Sequence, residues 1–136
     1  MKEKITIMLI DDNRIDLFIH NEFIKQMNIA DTILEYSIAS EALTFLEQNN
    51  ESQWPDLILL DIHMPVMNGF DFLEKYSTLL LSNRQKCHII IVSSSLDVGD
   101  KLRAKESEYV LELLEKPLNT EKLKKLLVEN KIISIG

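Results

Sequence analysis

The chain has 136 residues, with 15 Lys and Arg against 22 Asp and Glu, a formal charge of −7. That acidity argues against nucleic acid or an anionic membrane surface as the main partner, because both attract basic proteins. A single cysteine, Cys87, excludes an internal disulfide framework and suits a reducing compartment.

Residues 5–10 form a short, almost continuous apolar run, which suits a strand buried on both faces. It is too short for a signal peptide, and no apolar stretch nears the roughly 20 residues of a membrane span. A cytoplasmic protein is expected. Ile15, Ile19, Phe23 and Met27 then step by four and predict a first helix. A less pure apolar run over 33–39 predicts the second strand, and Ala39, Leu43 and Leu46 the second helix. Trp54-Pro55 reads as a loop anchor before a third strand at 57–60, and Phe70, Leu73, Tyr76 and Leu80 mark the third helix. Cys87 reads as a semi-buried edge residue before a fourth strand at 89–92. Residues 97–108 are charged and weakly periodic, a helix with Val98 and Leu102 as its apolar anchors. A fifth strand at 109–114 and a last helix through Leu123, Leu126 and Leu127 complete the pattern, followed by a mildly apolar tail at 131–136.

Strands alternating with helices predict an α/β domain with a parallel sheet covered on both sides. One domain over 1–136, with a core of about 5–129, is expected for this length and hydropathy. In such sheets sites form outside the carboxyl ends of the strands. Those ends carry Asp11-Asp12, Asp61, Ser93 and Lys116-Pro117. Three clustered carboxylates repel one another and are driven toward protonation unless a cation joins them. Lys116 supplies one charge, and a divalent ion would balance the rest. Oxygen ligands without a His or Cys cluster favour Mg²⁺ over zinc. A hard metal, a lysine and a hydroxyl suit a phosphoryl group, and a carboxylate can itself be the nucleophile. Taken singly, each has a plainer reading: an Asp as a helix cap, Lys-Pro as a turn, a Ser run as loop.

The stretches Leu9-Ile-Asp-Asp-Asn13, Leu59-Leu-Asp-Ile-His-Met-Pro-Val-Met-Asn-Gly-Phe70, Ile91-Val-Ser-Ser94 and Glu115-Lys-Pro117 occur in that order. In these the chain, from about residue 5 to 129, resembles the receiver domain of two-component response regulators, of the single-domain chemotaxis or phosphorelay kind. The resemblance implies a flavodoxin-like doubly wound (βα)5 fold with strand order 2-1-3-4-5. It makes Asp61 the phosphoacceptor, Asp12 the direct Mg²⁺ ligand, Asp11 a ligand through metal-bound water, and the His63 backbone carbonyl a further ligand. Ser93 would bond a phosphoryl oxygen, Lys116 would pair with the phosphoryl group, and Lys116-Pro117 would be a cis peptide. Ser94 and the His63 side chain would modulate acyl-phosphate lifetime. The implied partners are a sensor histidine kinase or histidine phosphotransfer protein and a downstream protein, with the chain a monomer or weak dimer.

The sequence departs from that pattern at Leu113, where many receivers carry Tyr or Phe three residues before the lysine. The usual aromatic rotamer readout is therefore not expected in its ordinary form. The stretch 100–115 also has no glycine where receivers often have Gly-Ala. Docking is expected on the fourth helix, fifth strand and fifth helix, near Lys101, Arg103, Lys105, Lys122, Lys124 and Lys125, with Phe18 and Ile19 as a second candidate surface. Gly69 is expected to supply a positive φ or a close approach. His20 and His88 read as surface or boundary residues. A phosphorylation-independent adaptor is the alternative. A haloacid-dehalogenase-like phosphatase would want a second Asp where His63 stands, and Asp11-Asp12-Asn13 would repel the phosphate of a flavodoxin cofactor.

Overall fold

The computed structural model describes residues 3–79, 87–94 and 96–134. Five parallel strands form one sheet: β1 (Ile5–Ile10), β2 (Ala30–Tyr36), β3 (Leu57–Leu60), β4 (His88–Ser93) and β5 (Val110–Glu115). Their order is β2-β1-β3-β4-β5. Among the described residues five helices alternate with them: α1 (Arg14–Met27), α2 (Ala39–Gln48), α3 (Gly69–Leu79), α4 (Val98–Glu106) and α5 (Thr120–Glu129). A 3-10 turn, Glu51–Gln53, precedes β3. The expected α/β flavodoxin-like doubly wound architecture is the one observed.

Alternation along the strands divides the core into two layers. Met8, Ile10, Ile58, Leu60, Ile89 and Ile91 pack with α2, α3 and Ala104, while Ile7, Leu9, Leu57, Leu59, Ile90 and Val92 pack with α1 and α5. Successive side chains of a strand point to opposite faces, so a strand covered on both sides is apolar throughout. The inner strands β1, β3 and β4 follow that rule apart from Thr6 in β1 and the end residues His88 and Ser93 of β4. Trp54 anchors its loop as expected, with its indole N–H donating to the carbonyls of Leu46 (2.9 Å) and Asn49 (3.1 Å). From the tail, Ile132 and Ile133 are buried in the α1–α5 layer.

The second strand is Ala30–Tyr36, not 33–39. As an edge strand it carries exposed Asp31 and Thr32, which a search for continuous apolar residues passes over. Ala39 begins α2 instead.

On α1 the buried residues are Leu17, His20 and Ile24, whereas Ile15 is 71% exposed. A strict step of four advances 400° and drifts about 40° per step, so that row starts nearly opposite the buried face at Ile15 and only swings toward it by Phe23 and Met27, while the 0, +3, +7 row of Leu17, His20 and Ile24 stays on it. Phe23 and Met27 reach the core only as half-buried neighbours. His20 is thus a core residue rather than a surface one, and His88 is half-buried at the start of β4.

On α4 the expected anchors Val98 and Leu102 are 73% and 56% exposed, and the buried residue is Ala104. Two residues on from Leu102 is about 200° around the helix, so burying Ala104 turns the Val98–Leu102 face outward. The Cys87 thiol is buried rather than semi-buried. Leu80 lies outside the described residues.

Candidate functional site

The last rungs of the sheet set the site. The Asp61 backbone N–H donates to Ile10 O (2.9 Å), the Asp11 N–H to Tyr36 O (3.0 Å), and the Lys116 N–H to Ser93 O (2.9 Å). Each residue is the first past the hydrogen-bonded end of its strand, so the parallel register brings Asp11, Asp61, Ser93 and Lys116 to one rim. Carboxylate oxygens of Asp11, Asp12 and Asp61 lie within 4.8 Å of one another; Asp11 and Asp61 are buried and Asp12 is exposed. Neither Asp11 nor Asp12 caps α1. The cap is Asn13, whose side chain accepts from Ile15 N–H (3.0 Å) and Asp16 N–H (3.1 Å). Asn13 N–H in turn donates to Asp11 Oδ1 at 2.9 Å and fixes that carboxylate.

Lys116 reaches into the cluster. Its Nζ is 2.7 Å from Asp11 Oδ2, 2.8 Å from Asp16 Oδ2 and 3.8 Å from Asp61 Oδ2. Burial alone would lower the ammonium's pKa, but hydrogen bonds to Asp11 and Asp16, with the Asp11 and Asp61 charges, raise it above the ordinary value. Asp61 moves upward from 3.8 to about 6, first through burial and then through the Asp11 charge, with Lys116 partly offsetting both. The cluster is therefore short of positive charge. All-oxygen donors at this spacing fit a hard divalent cation.

Asp16 is the site residue that sequence reasoning missed. An acid in the first turn of a helix is ordinarily read as a partner of the helix dipole. Only the fold carries Lys116, 100 residues away, against it.

The remaining expected residues take the following places. Ser93 is fully buried at the end of β4, and Ser94 beyond it is exposed. His63 is an exposed loop residue whose N–H points to Asp61 Oδ1 (3.4 Å) and whose Nε2 lies 3.6 Å from Asp100 Oδ2 on α4. Leu113 is half-buried on β5 against the α2–α3 layer. The Lys116-Pro117 peptide is cis. Gly69 supplies close approach rather than a positive φ: a Cβ there would meet Ile62 Cα at 2.7 Å and the Asp61 carbonyl at 2.9 Å.

Comparison with known proteins identifies the fold and the family. The family model of the response regulator receiver domain matches residues 7–128. A two-component response regulator from Cytophaga hutchinsonii is 29% identical, with a TM-score of 0.86 over 95% of this chain and 97% of that one. A response regulator receiver protein from Dyadobacter fermentans is 28% identical, with a TM-score of 0.84 over 95% and 98%. Among curated proteins, the sensor histidine kinase CheAY of Helicobacter pylori is 32% identical over 120 residues, which are 86% of this chain and 14% of that protein. A protein-glutamate methylesterase/protein-glutamine glutaminase of Pseudomonas syringae is 28% identical over 94% of this chain and 33% of its own length. The chain thus spans a third or less of these curated relatives. By its fold, its rim of acids and lysine, and the extent of the match, the chain belongs to the response regulator receiver domain family.

Proposed function

We propose that this chain is a phosphoryl-accepting switch in which Asp61 takes a phosphoryl group from a phosphohistidine. The observation that carries this reading is the placement of Asp61: its carboxylate lies among Asp11 and Asp12, with the Lys116 ammonium 3.8 Å away. A carboxylate oxygen of Asp61 attacks phosphorus, the P–N bond breaks, and its electron pair returns to the departing imidazole nitrogen. With the donor ring's other nitrogen already protonated, the imidazole leaves neutral, and the products are an acyl phosphate on Asp61 and a neutral histidine on the donor.

The side chains of Asp11, Asp12 and Asp61 and the backbone carbonyl of His63 would hold Mg²⁺. When bound, the ion would supply positive charge that offsets part of the charge on the phosphoryl oxygens. Lys116 pairs with one of those oxygens, and the buried Ser93 hydroxyl donates to another. His63 and Ser94 are both exposed and would modulate how readily water reaches the acyl phosphate. The donor is a sensor histidine kinase or a histidine phosphotransfer protein. The signal leaves through contacts with a downstream protein or by onward phosphotransfer.

The direct test is incubation with acetyl phosphate, with and without Mg²⁺. The wild type is expected to acquire label only with the metal, and Asp61→Asn none. Label retained on Asp61→Asn contradicts the assignment. Absence of label on the wild type, with signalling intact, favours a phosphorylation-independent adaptor.

A further inference from the structure

The Lys116 ammonium has three donors, and two of them are committed. One goes to Asp11 at 2.7 Å and one to Asp16 at 2.8 Å, while Asp61 at 3.8 Å lies beyond hydrogen-bond reach. Asp16 is the only one of these three acids supplied by a helix, and it lies on the first turn of α1, whose start is pinned by Asn13. Its side chain is about a quarter exposed, against a tenth for Lys116, so the pair is largely removed from water. Charge-assisted hydrogen bonds of this length are roughly twice as strong as neutral ones.

Resting on the phosphoacceptor reading above, we propose that Asp16 is a positioning residue for Lys116. It holds the ammonium on the α1 side of the pocket and competes with the phosphoryl group on Asp61 for it. Asp11 cannot hold the ammonium alone in the loaded state, because the cation site draws on the same carboxylate. Asp16 lies outside that acidic trio and keeps its claim on Lys116 throughout. Lys116 must swing about 1 Å to bond an oxygen at Asp61. Asp16 therefore sets how tightly a phosphoryl group is gripped and how long it stays.

The test uses beryllofluoride, which adds to carboxylates as a phosphoryl mimic, with Mg²⁺ and fluorine NMR on the full chain. Asp16→Asn is expected to bind beryllofluoride about three- to tenfold more tightly, as one charge-assisted competitor is replaced by a neutral one. Its Mg²⁺ affinity, by calorimetry, is not expected to rise, because a nearby negative charge is lost. Asp16→Glu keeps the charge and is expected to return beryllofluoride affinity toward the wild type. Damage to α1 alone would weaken both ligands together, so this split distinguishes positioning from structure. Unchanged or weaker beryllofluoride binding in folded Asp16→Asn overturns the proposal.

A second measurement needs no variant. The Lys116 side-chain nitrogen resonance of the wild type is expected to shift when beryllofluoride is added, and a resonance that stays put also overturns the proposal. A wild type that binds no beryllofluoride with Mg²⁺ present instead overturns the phosphoacceptor reading itself.

Discussion

The Arg103 guanidinium lies over the Phe70 ring, 4.1 Å from its centre, and so ties α4 to the first turn of α3. Close by, His63 Nε2 meets the Asp100 carboxylate at 3.6 Å. With Val98 and Leu102 turned outward and Ala104 buried, α4 has little apolar anchorage, and these polar ties take its place. Such a cation–π contact is worth about 0.5–1 kcal/mol at an exposed site. Arg103→Ala is expected to speed amide hydrogen exchange across residues 98–106 severalfold while the sheet's exchange is unchanged. Equal exchange in α4 would show that the helix is held by something else.

The buried charge of Asp61 makes stability depend on pH. Its carboxyl rises from 3.8 to about 6 on folding, so the native state binds this proton more tightly than the unfolded chain. The stabilisation is full below about pH 4 and is lost as pH rises through about 6. Asp61→Asn removes the penalty and is expected to raise stability at pH 7 by about 1–2 kcal/mol without metal. Below pH 4 the difference should vanish, and Mg²⁺ at pH 7 should narrow it by stabilising the wild type more than the variant, which lacks one of the carboxylate ligands. Thermal melts across this range check the sign. A variant less stable than the wild type at pH 7 contradicts the electrostatic account.

Gly69 is constrained by the backbone of the loop that follows Asp61. A methyl there would sit 2.7 Å from Ile62 Cα, which cannot yield as a flexible side chain could. Gly69→Ala is expected to cost about 1–3 kcal/mol, the usual range for overpacking. Because the same shift moves Asp61, acetyl phosphate labelling should slow as well. Urea unfolding and the labelling rate measure the two effects separately.

Burial pushes the Cys87 thiol up to about 12, despite the neighbouring Tyr76 hydroxyl, which acts the other way. A thiol held protonated and covered is a poor nucleophile. Its reaction with a thiol-specific reagent at neutral pH is expected to be roughly a thousandfold slower in the native protein than in urea. Rapid native labelling would mean that the start of β4 opens readily.

Much of this fold was legible because the inner strands are apolar on both faces, and so read as clear runs between polar turns. The rim followed, since acids, Ser93 and Lys116 all stand at strand ends, where a parallel register must bring them together. What escaped depended on neighbours rather than on pattern. The edge position of β2 lets Asp31 and Thr32 into a strand. The buried faces of α1 and α4 are chosen by the sheet beneath them, which selects His20 and Ala104 over larger apolar residues. The link between Asp16 and Lys116 joins the first helix to the end of the last strand, and no local spacing encodes it.

The central claim is that one pocket at the carboxyl edge of the sheet receives a divalent ion and a phosphoryl group together. A crystal structure of the chain grown with Mg²⁺ and beryllofluoride tests it most directly. The account predicts beryllium bonded to a carboxylate oxygen of Asp61, the metal among Asp11, Asp12, Asp61 and the His63 carbonyl, and Lys116 and Ser93 on the fluorines. Beryllium on another side chain, or a metal outside the three acids, would contradict it.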